Sequence, residues 1–142
     1  MFNENLLYLE DTELGERLSH HGLRILYNPE ALGYHLHELK EADYLAIAPR
    51  LGTALARWYR AAPDRLDTLG SLGLPEGMSA KRRLRLRFAE TFVDPLAKAP
   101  LRVAARAFAE RNDGLAMTFY RKLFEIERRA ALREELVRTA SR

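Results

Sequence analysis

Apolar residues recur at helical spacing over most of the chain after about residue 40. This periodicity predicts several helical stretches, and Pro49 is expected to kink or divide the first of them. Glycine and turn residues at 69–79 predict a linker, and Asp113 is placed to cap the last helix. The predicted helices cover about 40–60, 80–94 and 100–109, and a last one runs from the break at 111–114 to about 139.

The first third of the chain has a different pattern. A helix is predicted over about 12–21, with Gly22 as its stop signal. Short apolar runs at 23–27 and 31–37 are typical of strands, joined by a turn at 28–30. Because two strands alone make a poor sheet, they predict the edge of a larger one. The expected fold class is α+β, mostly α, with a short N-terminal helix, a two-strand sheet edge and a helical C-terminal region.

Charge is distributed unevenly along the 142 residues, whose net charge is +3. Residues 1–80 carry 7 Lys/Arg and 12 Asp/Glu, whereas residues 81–142 carry 16 Lys/Arg and 8 Asp/Glu. This asymmetry indicates two surfaces with different partners. We divide the chain into a mixed segment at 1–64, a linker at 65–80 and a basic helical region at 81–142. The densest basic cluster consists of Lys81, Arg82, Arg83, Arg85 and Arg87.

Three interpretations of this basic cluster are open. It could contact anionic lipid headgroups, as basic amphipathic helices do. It could bind nucleic acid, but leucines rather than aromatic stacking residues interleave the cations, so we do not expect that partner. It could also be a solvated basic face on a helix whose Leu84, Phe88 and Phe92 pack inward.

The aromatic set Tyr44, Trp58 and Tyr59 is expected to lie in the core or line a groove.

The amino-acid composition excludes several kinds of site and of targeting segment. The chain has no cysteine, which excludes disulfides, thiolate zinc sites and cysteine nucleophiles. The N-terminus lacks the basic region and apolar core of a signal peptide, and no apolar run approaches the roughly 20 residues of a membrane-spanning helix. The predicted location is the cytoplasm, extending to the inner face of the membrane.

A series of short motifs occurs in order over about 36 residues near the N-terminus. The series resembles the C-terminal part of the catalytic domain of inverting family 2 glycosyltransferases, which have a GT-A-like fold. Residues 40–64 resemble the helical segment that often follows, so segment 1–64 would be the C-terminal catalytic segment. The motifs are Glu10-Asp11, Glu13-Leu14, Arg17-Leu18, Gly22, Asn28-Pro29 and Tyr34-His35.

The resemblance implies sugar transfer from a nucleotide-sugar donor to a hydroxyl acceptor. Asp11 would be the general base that deprotonates the acceptor, and Glu10 would shape the acceptor side. His35 would lie near the metal or the donor diphosphate, and the complete enzyme would need Mg²⁺ or Mn²⁺. Supporting roles would fall to Glu13, Arg17 and His37.

The residues by themselves allow simpler interpretations. Two acids before a helical pattern mark a helix start, and His35 with His37 could be a polar strand edge. The family's donor half and its Asp-x-Asp metal motif do not occur in this sequence. We therefore expect a fragment that is inactive alone and holds no cofactor by itself, or alternatively a non-catalytic helical interaction or membrane-surface module. An open sheet edge would favour a homodimer.

Overall fold

The structure is a computed structural model that describes residues 2–34, 40–65 and 78–140. The regular structure in these ranges is helical. A 3₁₀ turn at Pro63–Arg65 follows the second helix, and a π-helical segment at Ala89–Val93 joins the third helix to the fourth. The α-helices are α1 (Glu10–Ser19), α2 (Glu41–Ala61), α3 (Ala80–Phe88), α4 (Asp94–Ala109) and α5 (Asp113–Ala140).

Helix α5 is the centre of the fold, because it packs against both α2 and α4. Along α2, small residues face α5 every fourth position and are buried, at Ala48, Gly52 and Ala56. A Cβ at Gly52 would overlap the backbone carbonyl oxygen of Arg128, so the two helix backbones approach more closely than larger side chains allow. The largest fully buried side chains are Trp58, Leu55 and Leu123.

A polar cluster fastens the start of α2 to the other two helices. The Glu41 carboxylate accepts hydrogen bonds from Nε and Nη2 of Arg106 in α4, at 2.9 and 3.2 Å. It also accepts one from the hydroxyl of Tyr120 in α5, at 3.2 Å. Hydrogen bonding from Arg106 is the main cause that lowers the pKa of Glu41. Three helices therefore converge on one ionised carboxylate.

The π-helical segment has a cause in the sequence. Pro95 has no N–H, and in a regular helix its ring would clash with the carbonyl of Thr91. Here the N–H of Asp94 instead bonds to the carbonyl of Ala89, five residues earlier. This wider turn lets α3 continue into α4 without a break. The sequence-based prediction of separate helices at 80–94 and 100–109 is therefore wrong in its boundaries, and Pro100 lies inside α4.

The predicted sheet edge is wrong. Residues 23–34 contain no strand in the described part of the chain, and their side chains are exposed, including 73% of Ile25 and 78% of Leu26. An isolated strand pair is marginal without a third strand or a covering helix, and the described helices cover neither run. The fold class α+β is thus replaced by an all-helical arrangement of the described residues. The homodimer stays a prediction, but the open sheet edge on which it was based is wrong.

Other predictions were closer to the structure. Helix α1 begins at Glu10, two residues earlier than predicted, and Pro49 does not divide α2. Trp58 is buried in the core, and Tyr44 is half-buried against Phe124 with ring centroids 5.0 Å apart. Most of the predicted linker at 65–80 lies outside the described residues, so the domain boundaries stay a prediction.

Candidate functional site

The acidic pair singled out in the sequence forms the first turn of α1. Glu10 and Asp11 are its first two residues, and the preceding Leu9 has a left-handed backbone with φ of 66°. Asp11 is exposed, and its Oδ1 accepts hydrogen bonds from the backbone N–H of Thr12 at 2.7 Å and from the Thr12 hydroxyl at 3.3 Å. The two acids therefore mark the start of a helix, where the helix dipole favours them, but neither side chain caps it.

Two predicted supporting residues bind each other. Nε of Arg17 donates to Oε1 of the buried Glu13 at 3.0 Å, one turn apart on α1. The helix ends in a Schellman motif, in which Gly22 has φ of +80° and the N–H of Leu23 bonds to the carbonyl of Leu18. Glu13, Arg17 and Gly22 therefore have structural partners that explain their positions without catalysis.

His35 and His37 lie outside the described residues. Within the described ranges, no group of three or more His, Asp or Glu side chains is placed to hold a metal ion. The role of Asp11 as a base stays a prediction.

The basic cluster forms helix α3, and its five cationic side chains are exposed. Ser79 caps the helix, since its Oγ accepts from the N–H of Arg82 at 3.4 Å. Lys81, Arg82, Arg83 and Arg85 make no side-chain ion pair within the part of the chain that the structure describes. Arginines of the bundle differ, because Arg106, Arg129 and Arg138 each pair with a carboxylate at 2.9 Å or less. Four cations without an ion pair among the described residues thus lie together on α3.

The apolar residues of this helix are also exposed. Leu84, Phe88 and Phe92 are 71%, 61% and 58% exposed, and the rings of the two phenylalanines are 5.2 Å apart. The interpretation in which these residues pack inward is therefore wrong. Leu86, on the opposite side of the helix, is half-buried. Leu84 and Phe88 on α3 and Phe92 on the π-helical segment that follows form an exposed apolar row, which we call the stripe.

A groove of about 780 Å³ is lined by the π-helical segment and the start of α4 on one side and by the second half of α5 on the other. Glu90 lies 3.6 Å from Arg133, and the buried Asp94 accepts from Arg129 at 2.8 Å. Burial raises the pKa of Glu90, and the nearby Arg133 opposes that rise. Sequence reasoning missed this arrangement. Its signal was two acids four residues apart and two arginines four residues apart on neighbouring helices.

Among the described residues, none of the helices combines the length and the apolar character that crossing a membrane requires.

The resemblance to known proteins was tested by comparison. No protein-family model, no curated protein and no solved structure matches this chain. The described residues also lack the strands that a GT-A-like sheet edge needs. Assignment to the family 2 glycosyltransferases is therefore wrong, because neither the family comparison nor the fold supports it.

Proposed function

We propose that the chain is a non-catalytic module that binds an anionic membrane surface through α3. The observation that carries the proposal is the exposed stripe of Leu84, Phe88 and Phe92, which begins on α3, a helix with five exposed cations and no acid. Such a helix lies in the plane of the interface, with its apolar face among the acyl chains and its cations at the headgroups. Helix α3 is fixed to the bundle through the π-helical segment.

The arrangement of the cations fits this orientation. With 100° between successive helical residues, Lys81 and Arg85 flank the stripe on one side, and Arg83 and Arg87 flank it on the other. Long basic side chains on both flanks reach the headgroups while the stripe enters the membrane. Each cation near an anionic surface contributes about 1 kcal/mol, and each buried large apolar side chain contributes about 1.5–3 kcal/mol. Together these terms support reversible binding.

Two other occupants of the stripe are less well matched. A second copy of α3 would bring five further cations against the same face, and like charges repel. Nucleic acid would satisfy the cations, but it would leave Leu84 without an apolar environment. An anionic membrane provides both the negative charge and the apolar interior that the helix face requires.

Vesicle co-sedimentation tests the proposal. The full chain is mixed with vesicles of phosphatidylcholine alone or of phosphatidylcholine with phosphatidylserine, at low and high salt. We expect binding to the anionic vesicles that weakens with salt, because screening reduces the attraction between the cations and the headgroups. Phe88→Ser and the double variant Lys81→Gln/Arg85→Gln should each weaken it.

Matched variants separate α3 from general surface properties. Val103 on α4 is 68% exposed, and Arg121 with Lys122 on α5 are exposed. Val103→Ser and Arg121→Gln/Lys122→Gln should therefore bind as the unchanged chain does. Equal losses in these controls, equal binding to both vesicle types, or preferential binding of a DNA duplex in a competition assay would overturn the proposal.

A further inference from the structure

Helix α3 has a recess on its surface. General attraction between its cations and an anionic membrane would not need such a recess. The recess has a volume of about 300 Å³ and is lined by Ala80, Arg83, Leu84 and Arg87. Arg83 and Arg87 are four residues apart and therefore stand on the same side of the helix, with Cβ atoms about 5–6 Å apart. Both side chains are exposed. Ala80 and Leu84 supply the apolar part of the lining.

We propose that this recess binds the phosphomonoester headgroup of phosphatidic acid, an inference that rests on the membrane binding proposed above. A guanidinium group presents a planar fork of N–H donors that matches the oxygens of phosphate. A phosphomonoester carries a charge of about −1.5 to −2 at neutral pH and offers three terminal oxygens. Two adjacent guanidinium groups can donate to it together.

The exposure of its phosphate distinguishes this headgroup from those of other anionic lipids. Leu84 belongs to the stripe that enters the membrane and also lines the recess. An anion held between Arg83 and Arg87 therefore lies at the level where the apolar face meets the headgroups. In phosphatidic acid the phosphate at this level is a monoester, so nothing covers its three terminal oxygens. In phosphatidylserine the phosphate is a diester with one charge, and the serine covers it.

The charges around the recess favour a dianion. Arg83 makes no side-chain ion pair within the described residues, and Arg87 acts on Glu90 only by lowering its pKa from a distance. Glu90 is engaged with Arg133 at 3.6 Å on the α5 side of the π-helical segment. Both guanidinium groups thus keep their donors for a ligand, and a group with a second negative charge gains more from them than a monoanion does.

The test compares two vesicle types of equal zeta potential, one with phosphatidic acid and one with phosphatidylserine, both in phosphatidylcholine. The measured quantity is the ratio of the two affinities of the full chain. We expect about tenfold tighter binding to phosphatidic acid, the size of about one charge-assisted hydrogen bond. Arg83→Lys/Arg87→Lys keeps the charge but loses the fork, and should bring the ratio close to one.

Arg82→Lys/Arg85→Lys makes the same exchange outside the recess and should retain the preference. Helix content by circular dichroism confirms that both variants fold, since lysine and arginine have similar helix propensities. A ratio near one for the unchanged chain would contradict the binding of phosphatidic acid in the recess and would leave the proposal of membrane binding intact. No binding to either vesicle type would overturn both proposals. Equal loss of preference in the two variants would also overturn the recess.

Glycerol 3-phosphate separates the lipid from its free headgroup. We expect weak binding in a calorimetric titration, because the soluble compound has no acyl chains to accompany the stripe. Binding as tight as that to phosphatidic acid vesicles would overturn the assignment to a lipid.

Discussion

The backbone of α2 at Gly52 lies directly against the backbone of α5 at Arg128. A Cβ built on Gly52 would overlap the Arg128 carbonyl oxygen and would lie 2.9 Å from the backbone nitrogen of Leu132. Neither atom can move as a flexible side chain would, because both belong to a helix backbone. The two longest described helices can therefore cross this closely only because glycine has no side chain at position 52.

Gly52→Ala is expected to destabilise the fold in spite of the better helix propensity of alanine. Separating the helices exposes the core around Leu55 and Trp58, and overpacking of this kind costs about 1–3 kcal/mol. The measurement is the free energy of unfolding from urea denaturation followed by circular dichroism.

Gly114→Ala is the matched control for the crossing. A Cβ there would have only the side chain of Asn112 nearby, at 3.6 Å, which is an ordinary contact. The change should leave stability unchanged or raise it by up to about 1 kcal/mol. A stabilising Gly52→Ala would show that the helices do not cross as described.

Glu41→Gln is expected to lower the free energy of unfolding by up to about 1 kcal/mol at neutral pH, because Arg106 loses its charged acceptor and solvent screens the pair. The pKa of folded Glu41 lies below its ordinary value of 4.5. Its contribution is therefore present above that pH and is lost as the pH falls through the folded-state pKa. The two chains should converge in stability in acid.

The control for Glu41 is Asp43→Asn, which removes an exposed acid from the same first turn of α2. Thermal unfolding of the three chains over a series of pH values gives the comparison. If Asp43→Asn costs as much as Glu41→Gln, the effect belongs to the helix dipole and not to the cluster with Arg106 and Tyr120.

Glu90→Gln is expected to raise the free energy of unfolding at neutral pH, whereas Glu41→Gln lowers it. Burial raises the pKa of Glu90 above its ordinary value of 4.5, so ionising this group in the folded chain is unfavourable. Its favourable contribution is present below 4.5 and is lost as the pH rises through the folded-state pKa. We expect the variant to be more stable than the unchanged chain at neutral pH, by about 1 kcal/mol for each unit of pKa shift, and equally stable in acid.

Glu134→Gln, an exposed change at the rim of the same groove, serves as the reference for Glu90. Unfolding midpoints in urea at neutral and acid pH decide the sign. A Glu90→Gln chain that is less stable at neutral pH would mean that the contact with Arg133 outweighs the cost of burial.

Asn112→Ala should destabilise α5 by about 1 kcal/mol, because Oδ1 of Asn112 accepts from the N–H of Leu115 at 3.0 Å as a side-chain cap. Asp113→Asn removes only the charge of the first residue inside the helix and should cost less. Amide hydrogen exchange in the first turn of α5 measures the fraying. Greater fraying in Asp113→Asn than in Asn112→Ala would show that Asp113, and not Asn112, caps the helix.

Local rules carried much of the helical prediction. In α5, Leu123 and Ile126 are three residues apart, share one face of the helix and are buried. Gly22 was predicted as a stop and adopts a left-handed backbone. Both features depend on neighbours within a few residues, which the sequence shows directly. The cap of α5 was misassigned by one position, since Asn112 and Asp113 are both good capping residues and only the backbone path selects one.

The candidate site needed information that is not local. The apolar run at 23–27 has the composition of a strand, but a strand requires a partner and a cover, which no local pattern reveals. The ion pair of Asp94 with Arg129 joins residues 35 positions apart, so it forms only when α4 packs on α5.

By itself, the sequence determined which stretches are helical, without all of their boundaries, and that positive charge is concentrated at residues 81–88. Helical periodicity and charge are properties of neighbouring residues. Only the tertiary structure decided that Leu84 and Phe88 face outward. The sequence of an amphipathic helix is the same whether its apolar face is buried or exposed, and here α2 and α4 are the helices that pack on α5. The stripe on α3 is left to solvent, where a membrane can reach it.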